Sequence, residues 1–142
     1  MLKFLTTTVL ALLAVTGIIR AEAPMLTQSR VFPFADAPLR RLANGGESHD
    51  MVLGVLKTGE AVKVHESTQP EGAPPNPAHA IDHSEFIIVQ EGTLEYSHDG
   101  KVEFAGPGSV IYVAYGTMHQ VKNVGKSPAK YAVVSMGGDI KQ

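Results

Sequence analysis

The stretch His79-Ala-Ile-Asp-His83-Ser-Glu85-Phe-Ile-Ile-Val-Gln-Glu-Gly92 decides how the rest of the chain is read. Two imidazoles and a carboxylate occupy odd-numbered positions, and in an extended strand side chains two residues apart project from one face. That spacing predicts a common face for His79, His83 and Glu85. Glu85 leads directly into Phe86-Ile-Ile-Val89, an apolar run that predicts a buried strand, so the shared face is expected to look inward. An ionisable group pointing into a protein interior needs a partner, because an unpaired buried charge is costly. A metal ion would supply one partner for all three.

A second stretch adds a further imidazole. Gly106-Pro-Gly108 is a turn signal, Ser109-Val-Ile-Tyr-Val-Ala114 reads as a strand, Tyr115-Gly-Thr-Met118 as a turn, and His119-Gln-Val-Lys-Asn123 as the start of the next strand. Together the two stretches resemble the paired motifs of the cupin superfamily, small double-stranded β-barrels that carry a metal in the barrel mouth. His79, Glu85 and Gly92 fall at matching positions of the first motif, and Gly108, Gly116, His119 and Asn123 at those of the second. The chain departs from the pattern at two places: the first motif's second histidine falls on Ile81, and the second motif's proline on Ala114. The resemblance implies an all-β double-stranded β-helix of jelly-roll type. It also implies metal ligands among His79, Glu85 and His119, with His83 expected to replace the imidazole missing at Ile81.

Upstream, Met1-Leu-Lys3 carries a positive charge, Phe4 to Ile19 is largely apolar and free of acids, and Arg20-Ala-Glu-Ala23 ends in small residues. This is the pattern of a secretory signal peptide. Cleavage is expected after Ala21, giving a signal peptide over residues 1–21, an N-terminal arm over 22–50 and a barrel domain over 51–142. The apolar run is somewhat short for a membrane span, which takes about 20 residues. The chain has no cysteine, which excludes disulfides and a lipid-modified N-terminal cysteine. A periplasmic or secreted protein is expected, with no membrane association once the signal is removed.

About 120 residues then remain, enough for one domain. With a formal net charge of −2 and no run of Lys or Arg, nothing points to nucleic acid or to a lipid surface. A small-molecule substrate or ligand is the expected partner. By resemblance homodimers are common for such barrels, and the apolar alternation of the outer strands permits but does not require a homodimer.

In the arm, Pro24, Pro33, Pro38 and Asn44-Gly-Gly46 are turn formers, with a short strand expected around Arg40-Arg-Leu-Ala43. Met51 to Leu56 and Ala61 to Glu66 read as strands. In the second of these, Val62 and Val64 alternate with Lys63 and His65, which predicts a solvated His65. Gln69 to Ala78 holds four prolines and is expected to be a stiff loop delivering His79 to the barrel mouth. Thr93–Tyr96 and Lys101–Phe104 flank His98-Asp-Gly100, a strong hairpin signal. His98 is assigned no role there. Tyr131 to Met136 reads as the last strand.

His79, Glu85 and His119 make a two-histidine, one-carboxylate set, which suits Fe(II) and related divalent ions and leaves coordination positions open. Adding His83 gives three nitrogens and one oxygen. Either set accommodates Fe, Mn, Ni, Cu or Zn, so a divalent transition metal is expected without its identity. Two functions follow. One is an exported metalloenzyme acting on a small organic molecule as a dioxygenase, isomerase or lyase, with Tyr112, Tyr115 and Met118 as candidate pocket walls. The alternative is a non-catalytic periplasmic binding or sensing module.

Overall fold

The computed structural model describes residues 23–138 and residue 140. The signal-peptide reading of residues 1–21 lies outside them. The described residues are β throughout except for a single 3-10 turn at Phe34–Asp36. The strands are β1 (Met25–Leu26), β2 (Leu39–Arg41), β3 (Glu47–Leu56), β4 (Ala61–Gln69), β5 (Ser84–Glu91), β6 (Leu94–His98), β7 (Lys101–Ala105), β8 (Val110–Val113), β9 (His119–Asn123) and β10 (Ala129–Met136).

They form two sheets. The larger runs β1-β3-β4-β10-β5-β8, with β2 also paired to β3, and the smaller runs β7-β6-β9. Every pairing is antiparallel except the short β1–β3 contact. The early strand expected near Arg40 is β2, and β3 begins at Glu47, so residues assigned to the arm enter the large sheet and position 51 falls inside a strand.

Facing rows of the two sheets make the core. Ile87 and Val89 of β5, Val113 of β8 and Val133 of β10 meet Leu94 and Tyr96 of β6, all at most 4% exposed. Phe86 and Ile88, on the opposite face of β5, are more than a third exposed, so β5 alternates although its sequence is apolar on both faces.

Two glycines are needed for backbone reasons. Gly92 has φ 80°, and a Cβ there would lie 2.7 Å from the Cα of Ala129. Gly116 has φ 77° and donates its N–H to the carbonyl of Ile81 at 2.8 Å, tying the two motif stretches together. The β6–β7 hairpin turns through Asp99 and Gly100, both at positive φ, the two-residue turn that matches strand twist.

Candidate metal centre

The extended strand expected through 79–85 is interrupted. β5 starts at Ser84, Asp82-His83 is a bend, and His79 instead forms a two-way backbone bridge with His119, each N–H donating to the other's carbonyl at 3.0 Å. The chain here crosses from the small sheet to the large one. The even spacing therefore does not fix the directions of His79 and His83, and it holds only from Glu85 onward, where Glu85, Ile87 and Val89 face the interior.

The bridge puts the His79 and His119 rings 4.7 Å apart, centroid to centroid. His79 Nδ1 lies 3.2 Å from the Pro77 carbonyl and His119 Nδ1 3.1 Å from the Thr117 carbonyl. A carbonyl only accepts, so each Nδ1 carries the proton and each Nε2 keeps its lone pair. Metal-binding histidines are typically oriented in this way by an outer partner. His119 is buried, and loss of solvation holds its pKa below the usual histidine value.

Both imidazoles line a cavity of about 240 Å³ between the sheets, together with Glu85. Glu85 is anchored through one oxygen: Oε1 accepts from Ser135 Oγ at 2.9 Å and faces His83 Nε2 at 2.9 Å. Among the described residues both hydrogen-bond contacts of Glu85 are made through this one oxygen. His83 lies with Glu85 but lines a neighbouring cavity beside Lys63, Asp82 and Ser135 rather than the one shared by His79 and His119. Ile81, at the position of the missing imidazole, is 6% exposed and belongs to the hydrophobic core. Tyr112, Tyr115 and Met118 are more than half exposed, and none of them lines this cavity.

The structure thus joins His79 to His119 and His83 to Glu85. Among the described residues, no three His, Cys, Asp or Glu side chains are grouped as a ready metal-ligand cluster. The residue types nevertheless fit a divalent transition metal, since His79, His119 and Glu85 line one cavity and both imidazoles are held at Nδ1 by backbone carbonyls, leaving Nε2 as the nitrogen for a metal.

His65 was missed. The alternation along β4 is real, but Lys63, His65, Ser67 and Gln69 form the inward row. His65 pairs across the sheet with Asp50 and Val133, lines the cavity, and is held below the ordinary histidine pKa, chiefly by desolvation. Its Nδ1 is buried without a hydrogen-bond partner among the described residues. The outward row ends at Val62, which is only 8% exposed and shares a face with Gly54, against which Leu26 packs. With both faces half covered, hydropathy did not mark which looked inward. The regular Lys-x-His-x-Ser-x-Gln polarity was the available signal.

The other polar groups of the cavity are largely engaged. Buried Gln69 donates to Tyr131 Oη at 2.9 Å and accepts from the Asn123 N–H at 2.9 Å, and Gln120 donates to the Asn76 carbonyl at 2.8 Å. Burial pushes the Tyr131 phenol up, so it stays protonated.

Two antiparallel sheets closed face to face, with paired imidazoles and a carboxylate between them, define a small double-stranded β-helix protein with a candidate metal centre. The cupin domain profile matches residues 64–135, and the chain belongs to the cupin family. No curated protein matches the chain. Among solved structures it is similar to an RmlC-like cupin from Shewanella frigidimarina, with 18% identity, TM-score 0.64, and coverage of 79% of this chain and 95% of that one. It is also similar to KdgF from a Halomonas species, with 15% identity, TM-score 0.64, and coverage of 76% and 94%. A deletion mutant of Bacillus subtilis oxalate decarboxylase shares 22% identity at TM-score 0.67, over 82% of this chain and 32% of that longer one. At these identities the likeness is one of fold.

Proposed function

We propose that the chain is an exported cupin that holds a divalent transition metal through His79, His119 and Glu85 and acts on a small organic molecule. The observation that carries this reading is the pair of imidazoles with Nδ1 turned to backbone carbonyls, which leaves both Nε2 lone pairs available beside a carboxylate in one cavity. A bound metal would act as a Lewis acid with open coordination positions. The protein's own contribution is to fix the imidazole tautomers, to orient Glu85 through Ser135 and to exclude bulk water with Ile87, Val121 and Val133. His83 is placed behind Glu85 as an orienting partner, where the ligand replacing Ile81 was expected.

The test is elemental analysis of the protein purified from its native compartment, beside His119→Ala and Glu85→Gln. About one equivalent of transition metal in the parent, with loss in both variants, is expected. Full occupancy in both variants would reject the site. The second reading, a binding or sensing module without a metal, is favoured by the core position of Ile81 and the engagement of Glu85 by His83. It predicts a metal-free parent that still binds a ligand in the same cavity.

A further inference from the structure

The cavity of His79 and His119 has two charged lining residues, Glu85 and Arg40. Arg40 comes from β2, in the segment that the sequence marks only as an arm. Its guanidinium donates to Ser48 Oγ at 3.2 Å, and Asp50 Oδ1 lies 3.8 Å away, beyond hydrogen-bond distance. Asp50 is also approached by Lys63 Nζ at 3.5 Å, so its charge is shared between two cations. A guanidinium has five N–H donors in a rigid fork, and among the described residues the Arg40 side chain uses one hydrogen bond, to Ser48. Two of the amide side chains that line the cavity are committed elsewhere, Gln69 to Tyr131 and Gln120 to the Asn76 carbonyl. At about 240 Å³ the cavity is smaller than the roughly 300–1,000 Å³ typical of drug-sized ligands.

We infer that the molecule bound here is a small carboxylic acid, its carboxylate held by the Arg40 fork and its other end turned toward His79 and His119. The inference deepens the proposed function, on which it rests for the identity of the site. A planar carboxylate accepts two parallel N–H bonds from one guanidinium, a match that a neutral amide or alcohol cannot reproduce. Glu85 keeps its negative charge, which in the proposed site would be offset by the bound metal at the far end of the ligand from Arg40. Ser67 and His65 line the wall between these charged ends and supply short-range polar contacts.

Calorimetric titration of the purified protein at neutral pH with malonate, and with malonamide as its neutral counterpart, tests the assignment. Malonate is expected to bind about tenfold or more tightly than malonamide. Arg40→Gln should remove that advantage while leaving metal content and thermal midpoint unchanged, and Arg40→Lys, which keeps the charge without the fork, should restore part of it. Equal binding of the two probes, no malonate binding, or an unchanged malonate affinity in Arg40→Gln would overturn the inference. Arg40-dependent malonate binding by a metal-free parent would overturn the metal reading and leave the acid site standing. Metal in the parent with Arg40-independent binding would do the reverse.

Discussion

At the scale of single residues, the sharpest division is between His119 and His83. His119 offers a free Nε2 in a desolvated position, whereas His83 spends its Nε2 on Glu85. His83→Ala is therefore expected to weaken metal binding by the roughly 10–100-fold seen when an outer-shell partner is lost. His119→Ala should weaken it by more. Competition with a chelator of known affinity ranks the two, and equal losses would mean that His83 is itself a ligand. His65 and His119 also set a pH response in the metal-free protein. Burial holds both folded-state pKa values below the ordinary 6.5. Well above pH 6.5 both residues are neutral in the folded and unfolded chain and contribute nothing. As pH falls below that, the unfolded chain takes up protons first, so stability falls with it. The thermal midpoint of the metal-free protein should decline between about pH 6.5 and pH 5, before carboxylates titrate, and His65→Gln should flatten part of the decline. A flat midpoint across that range would show that neither imidazole is desolvated. His98 has the opposite sign, its pKa raised by hydrogen bonding to Glu103 and Asp99, so its contribution is present below pH 6.5 and lost as pH rises through the raised value. It lies on the exposed hairpin and does not cancel the acid loss.

At the scale of elements, Asn123 and Gly92 show what the motif positions do besides chemistry. Asn123 Nδ2 is shared among the carbonyls of Gln69, Pro70 and Ser127, its Oδ1 accepts from the Gly125 N–H, and its own N–H goes to Gln69 Oε1. This fastens β9 of the small sheet to the end of β4 in the large one. Asn123→Ala would strand several buried polar groups and should cost at least about 2 kcal/mol, read as a lower denaturation midpoint with metal content preserved at low temperature. Gly92→Ala should cost about 1–3 kcal/mol, because a side chain at φ 80° is strained and this one would press on Ala129. Gly92 was legible in the sequence because a positive φ is a local demand that only a few residue types meet. The Asp99-Gly100 hairpin was readable for the same reason, whereas β5, β8 and β10 were readable from apolar runs bounded by turn formers, and β9 from the turn formers on either side of it. Two features were not. The bend at Asp82-His83 depends on the distant backbone pairing of His79 with His119, so strand parity carried across it misplaced His83. The inward turn of Lys63 and His65 depends on Asp50 and Glu85 arriving from other strands, and the polar alternation within β4 marks one row without saying that it faces inward.

At the scale of the whole molecule, the proposal of export turns on where the mature chain would begin. Among the described residues no helix is long and apolar enough to cross a membrane. Among the described residues the first contacts come just past the proposed cleavage site. The Pro24 carbonyl accepts the Val55 N–H at 2.9 Å, Met25 and Leu26 pair in parallel with Val55 and Leu56, and Leu26 packs over Gly54, where a Cβ would sit 2.5 Å from its Cγ. Cleavage after Ala21 preserves all of these contacts, and cleavage a few residues later would remove β1 and uncover the edge of β3. The mature protein is therefore expected in the periplasmic or extracellular fraction with Glu22 as its first residue. A version starting at Thr27 should melt at a lower temperature, since it loses the burial of Leu26 and leaves the Val55 N–H without its partner. Intact mass and N-terminal sequencing of the protein from each cell fraction decide the first point. Finding Met1 on a protein confined to the cytoplasm would reject export, while equal melting of the versions starting at Glu22 and Thr27 would show that β1 adds nothing to the fold.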